Sequence, residues 1–579
     1  MKKRKMQNTA LCRGIYDYSG VSEREETIAF LLDYAARSRQ ETDRYWDRMR
    51  SYYDGKHSIT LENEAFSKKS MLPWTPAQST DGYIHVETQI SARVPDFEFV
   101  PREKSDYDKA KQRERVVKYV CDNNGLDYKN SGNERRLNIN GTAVWKVCWD
   151  GALEIGADKG DVAVLCPDSR EIYPDPTSRE VDGCEYIGYV YKMHRMKAQR
   201  IFEKDFERNG SSLSDYLESG IRNASYTSDS YDTDDDTVTV TEWWFRQPCK
   251  GRMSAGEYSW KAGDIALCIL LNGKEIRYIP KYWKNTGFNS FPFVIYSKIP
   301  NEKSIWGKSE LEAIIPLIDA KDRELAFAQL NSAYSSNDII LVEENALSDG
   351  EELDSAPGSI WKMRPGMMGK IARLGNMASA QKSLYTNSSY WQSLIESTTG
   401  NFEVNQGKEP ANVTTATGIA LLNERAESRK TLKSIDKNEG FKRLYSLIDK
   451  TCLEYYSDGR IVRLGLSDEK GRVFGYGGFI NRTRQERYIP SVDVTVHTGS
   501  AIANSKAFTV SALTTLIGMR INEDNYKLVK AYVETIGIPE RGEICTFLDE
   551  RFGKGNEEIS GEEIMSILEK AMKEEDGNE

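Results

Sequence analysis

The chain has 579 residues, more than one hydrophobic core usually serves, so several structural regions are expected. Apolar residues make up 39% of it and charged residues 29%, which is typical of a soluble protein, and no apolar run approaches the roughly 18 residues of a bilayer-spanning helix. Its 79 basic and 89 acidic side chains give a net charge of −10, which argues against a protein that holds DNA through many phosphate contacts.

Two helices are predicted in the first part of the chain. Residues 22–25, Ser-Glu-Arg-Glu, match a capping box, and apolar residues at helical spacing follow them, which predicts a helix to about Tyr53. A second helical pattern runs from about Asp106 to Cys121 and stops at the Asn-Asn-Gly of residues 123–125. The hydrophobic period changes after this point.

Strand patterns follow the two helices. Alternating apolar residues occupy positions 143, 145, 147 and 149, and the Asp-Gly pair at 150–151 predicts a hairpin turn. Further strands are predicted near residues 186–193, 237–246, 265–283 (with a turn at 272–273) and 291–298. Residues 460–497 again have a strand pattern, which predicts that they complete a sheet begun much earlier. The predicted fold class is therefore α+β.

The segment between residues 307 and 458 has an unusual order of elements. An amphipathic helix is predicted from Ser309 to about Tyr334, and Pro316 lies inside it, so either the regular helix begins there or the chain kinks. Ile339–Val342 and residues 359–362 predict a small β element. The helical pattern then returns over Ala378–Thr399.

A loop and one very long helix complete this segment. Residues 400–416 contain two Gly, one Pro, three Asn and two Thr, which predicts a mobile loop. The helix predicted from Thr417 to about residue 457 would measure about 60 Å if unbroken. Gly440 in its interior costs roughly 1 kcal/mol relative to Ala and is the predicted position of a bend. Residues 505–579 predict further helices.

The residues that could carry chemistry do not form a recognisable site. Nine Cys are dispersed without a C-x-x-C pair, and four His lack ligand spacing, which argues against zinc. The acidic stretch 225–236 lacks the Gly and distal Glu of a calcium loop and is predicted to be solvated. Residues 307–309, Gly-Lys-Ser, end like a P-loop, but Glu302 occupies the position of the required first Gly. No catalytic residue, cofactor or metal ligand is predicted.

Three short motifs in the middle segment carry a family resemblance: Trp-Gly-Lys-Ser-Glu-Leu-Glu at 306–312, Pro-Leu-Ile-Asp-Ala at 316–320, and Thr-Thr-Ala-Thr-Gly-Ile-Ala-Leu-Leu at 414–422. With the order of elements, they make the chain similar to the portal proteins of tailed double-stranded DNA bacteriophages. The resemblance implies a non-enzymatic ring, usually a dodecamer, at one capsid vertex of the virion, assembled in the host cytoplasm. Its channel would serve genome packaging and ejection.

The resemblance also implies a division of the chain into portal regions. These are a wing (1–304), a first stem helix (305–338), a small β-containing clip (339–376), a second stem helix (377–399), a tunnel loop (400–416), a long bent helix with the completion of the wing (417–499), and a helical crown (500–579). The implied partners are the major capsid protein, a transient terminase large subunit, a head-tail adaptor and double-stranded DNA, with no membrane.

The implied DNA-facing residues lie in the tunnel loop and the first stem helix. The tunnel-loop candidates are Phe402, Glu403, Asn405, Gln406, Lys408 and Asn412. The stem candidates are Glu310, Glu312, Asp319 and Lys321. An acidic or mixed channel would let DNA slide, although a solvated or intersubunit helix face explains the acidic candidates equally well. The alternatives for the whole chain are another phage head-tail structural protein and, less favoured, a nucleotide-binding enzyme.

Overall fold

The computed structural model describes a set of ranges with gaps between them. These are residues 18, 20–57, 79–90, 94–102, 106–155, 158–217, 236–252, 259–336, 339–342, 364–366, 371–374, 378–399, 416–456, 460–461, 473–474, 492–497 and 529–530. Within them the chain forms nine α-helices and sixteen strands, which confirms the α+β class.

The helices differ greatly in length, from five to forty residues. They are α1 (Val21–Tyr53), α2 (Asp81–Thr88), α3 (Tyr107–Asn123), α4 (Leu126–Asn140), α5 (Arg195–Asn209), α6 (Leu213–Leu217), α7 (Ile315–Ser336), α8 (Ala378–Thr399) and α9 (Ala416–Tyr455). The predicted helix ends near residues 53, 121, 399 and 457 agree with these bounds to within two residues.

The strands pair in antiparallel sheets. They are β1 (Asp96–Pro101), β2 (Thr142–Ile155), β3 (Asp158–Leu165), β4 (Ile172–Pro174), β5 (Tyr186–His194), β6 (Thr237–Arg246), β7 (Gly251–Arg252), β8 (Ser259–Trp260), β9 (Ile265–Leu271), β10 (Lys274–Ile279), β11 (Phe293–Ser297), β12 (Ile339–Val342), β13 (Ile371–Leu374), β14 (Arg460–Ile461), β15 (Val473–Phe474) and β16 (Val492–His497). A five-stranded sheet has the order β10-β9-β6-β5-β4, and a three-stranded sheet has the order β11-β2-β3.

Alternation along the strands of the five-stranded sheet divides its side chains between two faces. On β9, Ala266, Cys268 and Leu270 belong to the apolar cluster that contains Ile28 and Leu31 of α1. The intervening β9 residues Leu267, Ile269 and Leu271 belong to the main core. The same core contains the buried apolar residues of α5, Ala198, Phe202 and Phe206. Helices α1 and α5 therefore lie on opposite faces of one sheet.

Strand β2 lies in the centre of the core. Its residues 143–147 are all buried, including Lys146, whose Nζ lies 2.7 Å from the Glu242 carboxylate of β6. The C-terminal part of α9 packs on β2 and β11, where Phe441 contacts the rings of Trp145 and Tyr296. Because both faces of β2 are covered, the residues between its alternating apolar positions are buried as well, which the alternating pattern alone does not predict.

The chain after α9 returns to a strand that forms much earlier. Strand β16 pairs with β1, with Asp96 opposite His497 and Pro101 opposite Val492. Exposed Arg102 and Asp493 form a two-pronged ion pair beside it, with N–O distances of 3.0 and 2.8 Å. The prediction that residues 460–497 complete an earlier sheet is confirmed for residues 492–497, whereas β14 and β15 pair with each other.

Two local predictions are wrong, and a third is resolved in favour of one of its two alternatives. The residue before α1 is Gly20, which has no side chain to cap the helix, and residues 22–25 lie inside the helix. The expected capping box therefore does not form. Strand β2 continues through Asp150-Gly151 to Ile155, with an irregularity in its pairing to β3 instead of a turn. Helix α7 begins at Ile315, which confirms the alternative that the regular helix starts at Pro316 and not at Ser309.

Some predictions fall outside the described residues. They are the strand at 359–362, the acidic stretch 225–235, the tunnel loop 400–415 and almost all of the crown. The partner strand that the structure shows for β12 is β13, with Ile339 opposite Leu374.

Candidate functional site

Helices α7 and α8 form an antiparallel pair that carries a β-hairpin. Lys321 of α7 contacts Gln392 of α8 with an Nζ–Oε1 distance of 2.6 Å, and Glu324 contacts Asn387 at 3.5 Å, so the residue numbers run in opposite directions. Strands β12 and β13 pair between the two helices in the chain. The polypeptide thus extends along α7, contributes the paired strands β12 and β13, and comes back along α8.

The start of α7 is set by Pro316 and by a polar turn before it. Proline is tolerated in the first helical turn because no intrahelical bond needs its missing N–H. Upstream, Ser309 donates its hydroxyl to the Asn138 carbonyl at 3.0 Å and accepts the Leu311 N–H at 3.1 Å. These contacts fix residues 309–314 as turns and explain why the amphipathic pattern overestimates the helix.

An apolar cluster joins the N-terminal end of α7, called its base, to the helices and sheets formed by the described residues of 20–314, called the body of the subunit. It contains buried residues from α1, α2, α4, the turns before α7, α7 and α8: Met49, Tyr52, Val86, Ile139, Leu311, Ile314, Ile315, Ile318 and Ile395. Burial of a side chain of this size contributes about 1.5–3 kcal/mol. The base of the helical pair is therefore part of the folded body.

Polar contacts fasten the same end of α7. The carboxylate of Asp322, which is fully buried, lies 2.6 Å from His57 Nε2 and accepts the Ser79 N–H at 3.0 Å. Tyr52 donates its hydroxyl to Asp319 at 2.6 Å. Burial and the neighbouring Asp319 carboxylate raise the pKa of Tyr52 to about 12, so the hydroxyl keeps its proton at neutral pH.

The four predicted stem candidates all contact groups within the subunit. Glu310 has a side chain only 4% exposed, with carboxylate oxygens 3.8 Å from Lys298 Nζ and 3.9 Å from His85 Nε2. Exposed Glu312 accepts a 3.1 Å hydrogen bond from Tyr45. Asp319 is bound by Tyr52 as described.

The fourth stem candidate, Lys321, lies 2.6 Å from the Asp81 carboxylate as well as contacting Gln392. The structure thus brings the four candidates to the region where α7 and the turns before it meet α1, α2 and Lys298. Their role in a channel stays a prediction, and the six tunnel-loop candidates lie outside the described residues.

Sequence reasoning did not single out Asp322, His57 or Asp81. The available signal was the three-residue spacing of Asp319 and Asp322, which places two carboxylates on one helix flank. Their partners come from residues more than two hundred positions earlier in the chain, so no local pattern could identify them.

Helix α8 exposes an uncharged face. Four residues at spacings of three and four are exposed on the side opposite α7: Thr386, Tyr390, Ser393 and Ser397. Tyr390 is 60% exposed, and the whole helix contains only two charged residues, Lys382 and Glu396. Within its described side chains, residues 386–399, only Ile395 is buried. Over residues 386–399 this face contributes hydroxyl groups and no charge.

The C-terminal part of α9 is held by buried charges. Lys437 Nζ lies 2.8 Å from Glu134 of α4, and Arg113 Nε of α3 lies 2.9 Å from Asp449. At its end, the Glu454 carboxylate accepts the N–H groups of residues 285 and 286 at 2.7 and 2.8 Å. This part of α9 is therefore fixed to three regions of the body.

Gly440 lies against the Tyr296 ring inside this fixed part. An added Cβ would stand 2.6 Å from Tyr296 Cγ, closer than atoms can approach, so glycine permits the close packing. The helix is assigned without interruption through this position. The bend predicted at Gly440 stays a prediction.

The Gly-Lys-Ser sequence at 307–309 does not present a phosphate-binding loop. The backbone N–H groups of these residues donate to the Thr142 hydroxyl at 2.8 Å, the Ile299 carbonyl at 2.9 Å and the Tyr45 hydroxyl at 2.8 Å. A P-loop needs such groups directed at the ligand. Here they join the segment to the body.

The described part of the chain holds no group of three or more His, Cys, Asp and Glu placed to bind a metal ion. In the same ranges, no helix combines the length and apolar character needed to cross a membrane.

Comparison with known proteins identifies the family. The model of the phage P22-like portal protein family matches residues 85–576, most of the sequence and all of the α7–α9 segment. No curated protein matches the chain. The chain therefore belongs to the phage P22-like portal protein family, whose members are non-enzymatic structural components of the phage virion that form an oligomeric ring in the capsid.

Proposed function

We propose that α7, the β12–β13 hairpin and α8 form the stem and clip of the portal, and that the remaining described elements form its wing. The observation that carries this assignment is the antiparallel pair of α7 and α8 with the two-stranded β12–β13 sheet between them in the chain. The apolar cluster and the His57–Asp322 contact at the base of α7 support a firmly anchored stem.

Around the ring, usually of twelve copies, the stems enclose a channel for double-stranded DNA. The uncharged hydroxyl face of α8 is suited to such a wall, because firm phosphate contacts repeated in every subunit would hold the DNA in place. The tunnel loop, residues 400–416, follows α8 directly and adds the moving contacts, with Phe402, Glu403 and Lys408 among its DNA-facing residues.

The partners divide between the two ends of the subunit. The clip, residues 339–376, docks the terminase large subunit during packaging and the head-tail adaptor afterwards. The wing contacts the major capsid protein, and residues 500–579 form the crown. Energy for DNA movement comes from the motor, since portal proteins are not enzymes.

The first test is negative-stain electron microscopy of the purified chain, which should show rings with a central hole. Rings lacking residues 402–413 should assemble normally and fail to package or retain DNA. A control deletion of equal length, 224–235 in the acidic stretch, should leave packaging unchanged. Normal packaging by the 402–413 deletion would refute the tunnel-loop assignment.

A separate experiment tests the clip. Charge reversal within residues 339–376 should weaken binding of the motor or adaptor to purified rings while the rings themselves remain intact. Unaltered binding in a pull-down would contradict the clip assignment without affecting the tunnel loop.

A further inference from the structure

Helix α5 carries a basic face. Four cations lie at spacings of three and four on one exposed side of the helix, Lys197, Arg200, Lys204 and Arg208, and Ile201, 42% exposed, lies among them. Arg208 has an ion-pair partner, Asp205 at 3.6 Å, whereas no described residue forms an ion pair with the other three. Exposed Glu203 and Glu207 flank these cations, so four positive charges stand beside two negative ones and the face stays net positive in a chain with a net charge of −10.

Helix α1 carries the opposite character on its outer side. Glu23 and Glu26 are exposed, and Phe30 and Tyr34 continue the same face at spacings of four, with Tyr34 47% exposed. No described residue forms an ion pair with either glutamate. The outer side of the N-terminal half of α1 thus carries two exposed carboxylates and the exposed ring of Tyr34, and Arg37 at its end is paired with Asp33.

The two faces point away from opposite sides of the same sheet. Residues of β9 alternate between the α1 cluster and the core that contains the α5 side chains. Arg277 of β10 additionally pairs with Asp205 of α5, and its Glu275 pairs with Arg24 of α1 at 2.7 Å. One subunit therefore offers an acidic flank and a basic flank on opposite sides.

A ring requires this kind of arrangement. Cyclic assemblies of more than two copies join two different surfaces of the same chain, whereas a two-fold dimer joins one surface to itself. We propose that, in the portal ring, the acidic face of α1 from one subunit docks against the basic face of α5 from the next. Tyr34 and Phe30 then pack near Ile201, and the glutamates pair with Arg200 and Lys204.

The charges also select the mode of assembly. Two α5 faces, or two α1 faces, would place like charges together and repel, which disfavours closed dimers and leaves head-to-tail growth. Because exposed ion pairs are screened by salt, ring assembly should weaken as ionic strength rises.

Charge-reversal variants test this interface, which rests on ring formation by the family. Arg200→Glu/Lys204→Glu and Glu23→Lys/Glu26→Lys should each lower the yield of rings on the order of tenfold or more, since like charges then meet at every contact. A 1:1 mixture of the two variants should restore rings with alternating subunits, because each altered face then meets its complement. The readouts are analytical ultracentrifugation and negative-stain microscopy.

Control variants show whether a loss of rings is specific to these two faces. Lys250→Glu/Lys261→Glu, a double reversal at two exposed lysines elsewhere, should assemble like the unmodified chain. Unaltered assembly of either reversal variant, or failure of the mixture to recover, would overturn the interface. So would the same loss of rings on neutralising the aspartates of 225–236, since the acidic stretch, and not α1, would then supply the partner of the basic face. Absence of rings from the unmodified chain would instead overturn the proposed function.

Discussion

The C-terminal part of α9 and helix α8 differ in how much of their surface is buried by the rest of the subunit. In α9, seven apolar residues between 441 and 453 are buried, and three charged side chains reach partners in the body. In the described side chains of α8, one residue is buried and an uncharged face is exposed. The first helix is packed within its own subunit, and the second leaves an uncharged face exposed, which the proposed ring would place toward neighbouring subunits and DNA.

This difference has an energetic basis. Apolar burial and paired charges keep the α9 segment in one position, because moving it would expose core surface and leave charges without partners. The described part of the subunit does not bury the exposed face of α8, which in the proposed ring would be covered only after assembly. The largest mutational effects on folding are therefore expected in α9 and the smallest in α8.

The largest expected effect comes from breaking the Arg113–Asp449 pair, whose side chains are each 6% exposed. Asp449→Ala leaves a buried guanidinium without its carboxylate and should lower the free energy of unfolding by about 3–5 kcal/mol. Urea unfolding followed by circular dichroism measures this loss.

The matched control replaces both partners. Arg113→Met/Asp449→Leu removes the pair and the stranded charge together, so it should recover much of the lost stability. If Asp449→Ala unfolds at the same urea concentration as the unmodified chain, the pair does not fasten α9 to α3.

Gly440→Ala should have an intermediate effect. Alanine in a helix interior is normally favoured over glycine by about 1 kcal/mol, but here the new methyl group would overlap the Tyr296 ring. Overpacking of this kind costs about 1–3 kcal/mol, so the substitution should destabilise the protein. Thermal unfolding of the variant gives the sign.

Gly132→Ala is the comparison for Gly440. Gly132 lies inside α4 with no atom within 4 Å of an added Cβ, so alanine should stabilise the protein by about 0.5–1 kcal/mol. Stabilisation at both positions would show that Gly440 is not needed for packing and would leave the predicted bend as the reason for a glycine there.

The sequence predicts the elements of this fold better than their contacts. Apolar periodicity locates α1, α8 and α9 to within about two residues, because one face of each repeats with the helical period. Periodicity fails at Ser309, where buried Leu311 and Ile314 continue the helical spacing although the chain forms turns. Side-chain hydrogen bonds to α4 decide the local conformation there.

The candidate site shows the same limit. The family resemblance implies Glu310, Glu312, Asp319 and Lys321 as channel residues, and the sequence does not show which of these polar residues meet another part of the subunit. Their partners, such as Tyr45 and Asp81, lie in α1 and α2, far away in the chain. Conversely, the sequence of α8 contains serine and threonine at helical spacing, but it does not show whether this face is exposed. The structure shows the exposure, because α7 packs on the other side of the helix.

The smallest expected effect on folding comes from Tyr390→Ala in α8. Tyr390 is 60% exposed and contacts Trp391 at a ring distance of 5.7 Å, so its removal should change the free energy of unfolding by less than about 0.5 kcal/mol. The same substitution at Tyr445 of α9, a fully buried residue that donates to the Pro95 carbonyl at 2.6 Å, should cost about 3–5 kcal/mol. Both are measured by urea unfolding at protein concentrations low enough to keep subunits monomeric. Comparable losses at the two tyrosines would mean that α8 is completed within the subunit, which would remove the contrast between the helices.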